Sequence, residues 1–265
     1  MNDLFFQFQI DVREKYKEFF KCAELIEPIA NKIINAPVEG QLLYVVGRLV
    51  ASVLNSHGAI LLLVTRGYGV DAMRIARSIF ETSVNIIWLK DNPDALQDYL
   101  DYHVIQREKL YDQLTPKDQA AVSKEDREEM MNEYNQAAPR FKKKNGDIQN
   151  QWCKQSIRHR AEHAEQYWKN RMAEEGIPHN GISLYGTFYA VASSMHHMDI
   201  AGLNAATDEE MFTNIAPTWE HLDEALVSTV EVLKCLSLYN DWANLKISLD
   251  GPNEAYAQAI KALRK

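Results

Sequence analysis

Apolar residues recur at steps of three and four along most of this chain, a spacing that predicts helix after helix. Phe5, Phe8, Val12, Tyr16, Phe19 and Ala23 open an amphipathic helix over residues 3 to 35. Pro28 is expected to bend or interrupt it, and Ala36-Pro37 to end it. A second helix is predicted from about Glu39 to Arg66. Gly67 and Gly69 make the turn into a third, Tyr68 to Lys90, which is apolar around most of its circumference. Pro93 opens a fourth that runs to about Leu114, with Leu96, Tyr99, Leu100, His103 and Leu110 inward.

From Thr115 to about Gly176 the apolar positions thin out. A charged helix begins at Thr115-Pro116, Pro139 falls near its end, and the loop FKKKNGD follows. Ser156 can cap a further helix, IRHRAEHAEQYWKNRMAEE, that Gly176 closes. Core character returns over Ile182 to His197. Pro217 is expected to open a long helix to about Leu245, and a last helix follows the turn at Asp250-Gly251-Pro252. No alternating run of strand length stands out. The expected fold is all-α: one domain over 1–265, a multi-helix bundle, with 115–180 inserted as a charged helical hairpin or cap.

Composition narrows the function classes. Apolar residues make up 46% and charged residues 25% of the 265, enough for a sizeable core. The formal charge of −8 gives no general attraction to nucleic acid, although a local basic patch is compatible with it. Cys22, Cys153 and Cys235 are widely spaced and form no CxxC or zinc pattern, so reduced thiols in a cytoplasmic protein are expected. The N-terminus lacks a basic region ahead of its short, broken apolar run, which argues against a signal peptide. The most apolar stretch, LLYVVGRLVASVLNSHGAILLLV, carries Arg48, Asn55 and His57; it reads as a buried helix and not as a membrane span.

The chemistry concentrates on the third helix. Arg74, Ser78, Glu81 and Asn85 lie at steps of four, three and four, so they share one face, and Arg77 flanks them four residues before Glu81. Charges on a mostly apolar helix must be paired or solvated. The helix over 182–197 carries a second line, Tyr189, Ser193 and His197, at steps of four. Gly186, Ala190 and Ser194 beside it are expected to let the two helices approach closely. Arg74, Arg77, Glu81, Tyr189, Ser193 and His197 are therefore the candidate ligand-binding set, an arginine clamp with an orienting carboxylate. No nucleophile elbow accompanies Ser193, so a hydrogen-bonded network is the better reading than a serine nucleophile.

The segment LLLVTRGYGVDAMRIARSIFE resembles the signature of a bacterial domain-of-unknown-function family, the one numbered 5677. The matching positions are Arg66-Gly67, Arg77-Ser78 and Phe80-Glu81. Trp152 ahead of Ser156-Ile157-Arg158, and Tyr189-x-x-x-Ser193-x-x-x-His197, are similar to later elements of the same family. Met198-Asp199 departs from it, because a pair of small residues is usual after that histidine. The resemblance covers roughly Leu42 to Leu203 and implies an all-helical fold, but no reaction.

Two further motifs lie in one stretch. His159-x-x-Glu162-His163 spells HxxEH, a zinc-peptidase pattern, but no third ligand or scaffold accompanies it. It reads as a chance match in a charged helix, so neither metal nor cofactor is expected. Arg158-x4-His163 is similar to the R-x4-6-H motif of the HEPN ribonucleases. That resemblance implies metal-independent RNA cleavage, with Arg158 and His163 as catalytic candidates at a dimer interface. A solvated helix face is the plainer reading. Trp219, Tyr239, Trp242 and His221 read as core or interface aromatics, and His57 and His103 as satisfied core histidines.

The expected function is a ligand- or partner-binding module for a small anionic ligand or a protein. The alternative is a HEPN-like ribonuclease, a toxin or phage-defence effector acting on RNA, whose site is usually at the interface of a homodimer. No membrane role is expected.

Overall fold

The structure is a computed structural model and describes residues 2–174, 185–197 and 217–264. The fold is all-α. Apart from an isolated antiparallel bridge between Lys142 and Ile148, every regular element among the described residues is helical. In order these are α1 (Asn2–Lys15), α2 (Lys17–Ile34), α3 (Gln41–Thr65), α4 (Gly69–Asp91), α5 (Leu96–Gln113) and α6 (Pro116–Gln119). There follow α7 (Lys124–Ala137), α8 (Ile157–Glu174), a π turn Tyr185–Tyr189, α9 (Ala190–His197), α10 (Leu222–Val227), α11 (Thr229–Trp242) and α12 (Asp250–Leu263). Single 3-10 turns, Pro93–Ala95 and Ala138–Phe141, precede α5 and follow α7.

The chain divides into two compact units, one made of residues 1–88 and 161–265, the other of Leu89–Arg160. In the first, α2 lies along α12 and α3 along α11, so the beginning and end of the sequence share a core. Phe19, Cys22, Ile26, Ala30 and Ile33 form the buried stripe of α2. That stripe continues on both sides of Pro28, and α2 runs through the proline unbroken. The break falls at Tyr16, whose φ of −106° and ψ of 22° leave the helical region. Its ring is buried and its hydroxyl donates to Asp223, so a distant partner fixes the break there.

α3 corrects another expectation. It buries one stripe only, Val46, Val50, Val53, His57, Ile60 and Val64. On the opposite side Tyr44 and Leu62 are 59% and 70% exposed, with Arg48 and Asn55 exposed between them. Length and composition alone would let this helix cross a bilayer, yet only 28% of its apolar window is buried within the protein. Its C-terminus is a Schellman motif: Tyr68 N–H bonds Leu63 O and Gly67 N–H bonds Val64 O, both at 3.0 Å, with Gly67 at φ +77°. A Cβ on Gly67 would stand 2.6 Å from Pro217 Cα, and one on Gly69 1.9 Å from Glu220 O. Thr218 N–H also bonds Gly67 O at 3.2 Å. Pro217 therefore opens no helix. Its backbone is docked on the glycine turn, and helix resumes at Leu222, after His221 at φ 59°.

In the second unit α5 packs on α7. Tyr102, Ile105, Ala137, Ala138 and Phe141 make its core, with Tyr134, Ile148 and Trp152 packed against it. The inward face of α5 is thus Tyr102, Val104 and Ile105, while His103 and Leu110 are exposed. Contact with α7 and the turn after it selects that face. Thr115 and Ser123 cap α6 and α7, and Arg127 forms a two-pronged pair with Glu108.

Candidate functional site

Arg77, Glu81 and Tyr189 come together. Helical spacing puts Arg77 one turn before Glu81, and its Nε donates to Glu81 Oε1 at 3.0 Å. The Tyr189 hydroxyl, arriving from the π turn, donates to the same oxygen at 2.7 Å, and a second guanidinium nitrogen donates to that hydroxyl at 3.4 Å. The guanidinium also lies 5.4 Å from the centre of the Tyr189 ring. The Arg77 side chain is 15% exposed and that of Glu81 37%, so the arginine is largely enclosed and the carboxylate faces partly outward. Burial, and then the bond to Glu81, raise the Tyr189 phenol above its usual range. At neutral pH it is a donor and not a base.

Arg74 sits one turn earlier, donating to Met195 O at 3.0 Å and pairing with Asp71. Ser78 is exposed and Ser193 half-buried. Asn85 Oδ1 is buried and accepts no hydrogen bond among the described residues. The His197 side chain lies outside the described residues. The expected small-residue contact does not form: Gly186 and Ala190 are exposed, and a Cβ on Gly186 would meet open space. Aromatic packing brings the elements together instead. Phe80 lies 5.3 Å from Tyr189 and 6.4 Å from Phe188, and Tyr185 stacks on Tyr189 at 5.1 Å.

Beyond that aromatic wall is a group that sequence reasoning missed. Glu231 of α11, 4% exposed, accepts from Ser83 at 2.6 Å and from Lys234 at 2.7 Å. The signal was present in the apolar run VEVLKCLSL, where a glutamate and a lysine stand three apart. Burial pushes the neighbouring Cys235 thiol up to about 12, with the Glu231 charge adding to it. Glu231, Ser83 and Lys234 line a cavity of about 50 Å³ together with Phe80, Glu165, Trp168 and Tyr185. The indole N–H of Trp168 is buried without an acceptor among the described residues.

The α8 motifs are arranged differently. Ser156 caps the helix through the His159 amide. Arg158 and His159 are exposed, whereas His163 is half-buried with its ring 5.3 Å from that of Trp88, edge to face. Five residues on a helix turn about 140° net, so Arg158 and His163 do not share a face of α8. Among the described residues, no three His, Cys, Asp or Glu side chains are grouped to hold a metal ion. His57 is a core histidine, its Nε2 2.9 Å from Thr229 Oγ1. Trp219 packs on Phe8 and Tyr16, and Tyr239 is buried.

An all-helical bundle with an Arg–Glu–Tyr cluster on a largely enclosed helix defines a class by architecture, not by reaction. The chain belongs to the family of unknown function DUF5677, whose sequence model matches residues 43–213. The match includes the Arg66-Gly67 turn, Arg77, Glu81, Trp152, Tyr189 and Ser193. No curated protein and no solved structure matches the chain.

Proposed function

We propose that this protein is a ligand-binding module whose site takes a small carboxylate in the cavity beside the Arg77–Glu81–Tyr189 cluster. The observation behind the reading is the Trp168 N–H, buried without an acceptor among the described residues, on a side chain that lines a cavity also presenting Lys234. Leaving such a donor unmet costs about 1–3 kcal/mol, which a ligand oxygen would recover. Lys234 keeps further protons beyond the one given to Glu231. Phe80, Tyr185 and Trp168 offer apolar faces. Glu165 on the wall favours a ligand that also carries an N–H or O–H, such as a short hydroxy or amino acid. A cavity of about 50 Å³ limits the occupant to a few heavy atoms.

The test is the indole N–H resonance of Trp168, assigned with Trp168→Phe, during titration with glycolate, glycine and acetate. Saturable shifts are expected, strongest for glycolate or glycine and lost in Lys234→Met. No shift with any of the three, or equal shifts in Lys234→Met, would overturn the reading. The ribonuclease alternative is decided separately by incubation with single-stranded RNA and a chelator. Under the binding reading, native protein and His163→Ala leave the RNA equally intact.

A further inference from the structure

A second cavity, between α2 and α3, measures about 530 Å³ and shares no lining residue with the Trp168 cavity. Small-molecule sites fall at about 300–1,000 Å³. The lining runs from Phe20 to Ile34 of α2 and from Ala51 to Thr65 of α3, so the cavity is a groove roughly 20 Å long. Phe20, Ile26, Leu54 and Leu61 make it mainly apolar. A Cβ on Gly58, which also lines it, would meet open space. Two kinds of polar group interrupt this surface. Glu24 and Glu27 are exposed, one helical turn apart, and form no ion pair among the described residues. His57 is 4% exposed; its Nε2 lies 2.9 Å from Thr229 Oγ1, and its other ring nitrogen has no hydrogen-bond partner among the described residues.

We propose that this groove binds an elongated apolar amine, with an alkyl chain along the apolar lining and a primary ammonium held by Glu24 and Glu27. Three features select it. The first is shape. A long groove walled by aliphatic side chains suits an alkyl chain, and the small residues Ala23, Ala30, Ala51 and Gly58 leave it room. The second is charge. Two carboxylates stand against one guanidinium on the lining, and that guanidinium, of Arg13, already lies 5.2 Å from the centre of the Phe20 ring. The formal charge of −8 adds to the attraction for a cation and disfavours a fatty-acid carboxylate. The third is His57. Burial keeps its imidazole uncharged at neutral pH, so it does not repel a cation. Its unmatched nitrogen gains a partner from an ammonium or hydroxyl carried by the ligand.

Calorimetric titration of the full chain at neutral pH with decylamine hydrochloride, kept below its micellar concentration, should show saturable binding. Decanoate, of the same chain length and opposite charge, should bind at least about tenfold more weakly. Glu24→Gln combined with Glu27→Gln, both at exposed positions, should remove most of that preference. Gly58→Leu builds a side chain into the open space of the groove and should abolish binding of both probes. It should melt no lower than the native protein, because leucine favours helix over glycine. Absence of saturable decylamine binding would overturn the proposal. So would decanoate binding as tightly, a preference that survives the double replacement, or full binding by Gly58→Leu. A dimer in light scattering that Gly58→Leu dissolves, or flotation with phosphatidylcholine vesicles that it abolishes, would overturn it by giving the groove to another occupant. The two cavities are lined by different residues, so this inference and the proposed function fail independently.

Discussion

Acid should destabilise this fold through His57 in a calculable way. The ring is 4% exposed among apolar neighbours, and burial lowers its pKa from 6.5 to about 4. Above about pH 6.5 the imidazole is neutral in both the folded and the unfolded chain, so its titration costs nothing. As pH falls below that value the unfolded chain takes up the proton and the folded one does not, until about pH 4. Stability is therefore lost across that window. A gap of about two and a half units corresponds to about 3 kcal/mol, nearly all of it lost by pH 4. The assay is urea unfolding of the native protein and His57→Gln at pH 7 and at pH 4. Other groups titrate in both proteins, so the difference between the two pH dependences isolates His57. The native protein should lose about 3 kcal/mol more than the variant between the two pH values. Equal losses would refute the reasoning, and a larger loss in the variant would reverse its sign.

Gly69→Ala drives a methyl into the Glu220 carbonyl and should cost about 3 kcal/mol, at the upper end for overpacking, read by thermal or urea melts. Glu81→Ala removes the acceptor shared by Arg77 and Tyr189. Because that carboxylate is over a third exposed, the loss should be about 1–2 kcal/mol, with Tyr189→Phe costing less; reversed magnitudes would contradict the bonding described. Trypsin should cut first within Lys142–Lys144, three exposed lysines beside Gly146 at φ +88°, as read by mass spectrometry of early fragments.

Local regularities carried most of the legible information. The polar line of α4 and the glycine turn before it follow from helical spacing and from what glycine alone permits. The pairing of Arg77 with Glu81 needs only a four-residue step. Features that depend on distant partners were hidden. The chain breaks at Tyr16 and not at Pro28 because the tyrosine is anchored to Asp223. Pro217 starts no helix because its backbone lies on Gly67. The uncovered face of α3 could not be read from hydrophobicity, which says what a helix prefers and not what stands beside it. Tyr189 reaches Arg77 by aromatic packing through Phe80, so the right contact was expected for the wrong reason. Glu231 and Lys234, three apart in an apolar run, take on their role only when Ser83 arrives from another helix.

The docking of Pro217–Glu220 on the glycine turn has a consequence for how the protein is made. A ribosome delivers Gly67 and Gly69 some 150 residues before the segment that packs on them. α2 and α3 leave the exit tunnel equally early, but α11 and α12, which cover their inner stripes, follow more than about 150 residues later. Leu89–Arg160 is continuous and can close its own core during translation. The larger unit has no such option. Until α11 and α12 emerge, the nascent chain displays the inner as well as the outer face of its most apolar helix, so the growing polypeptide is an expected client for holding chaperones.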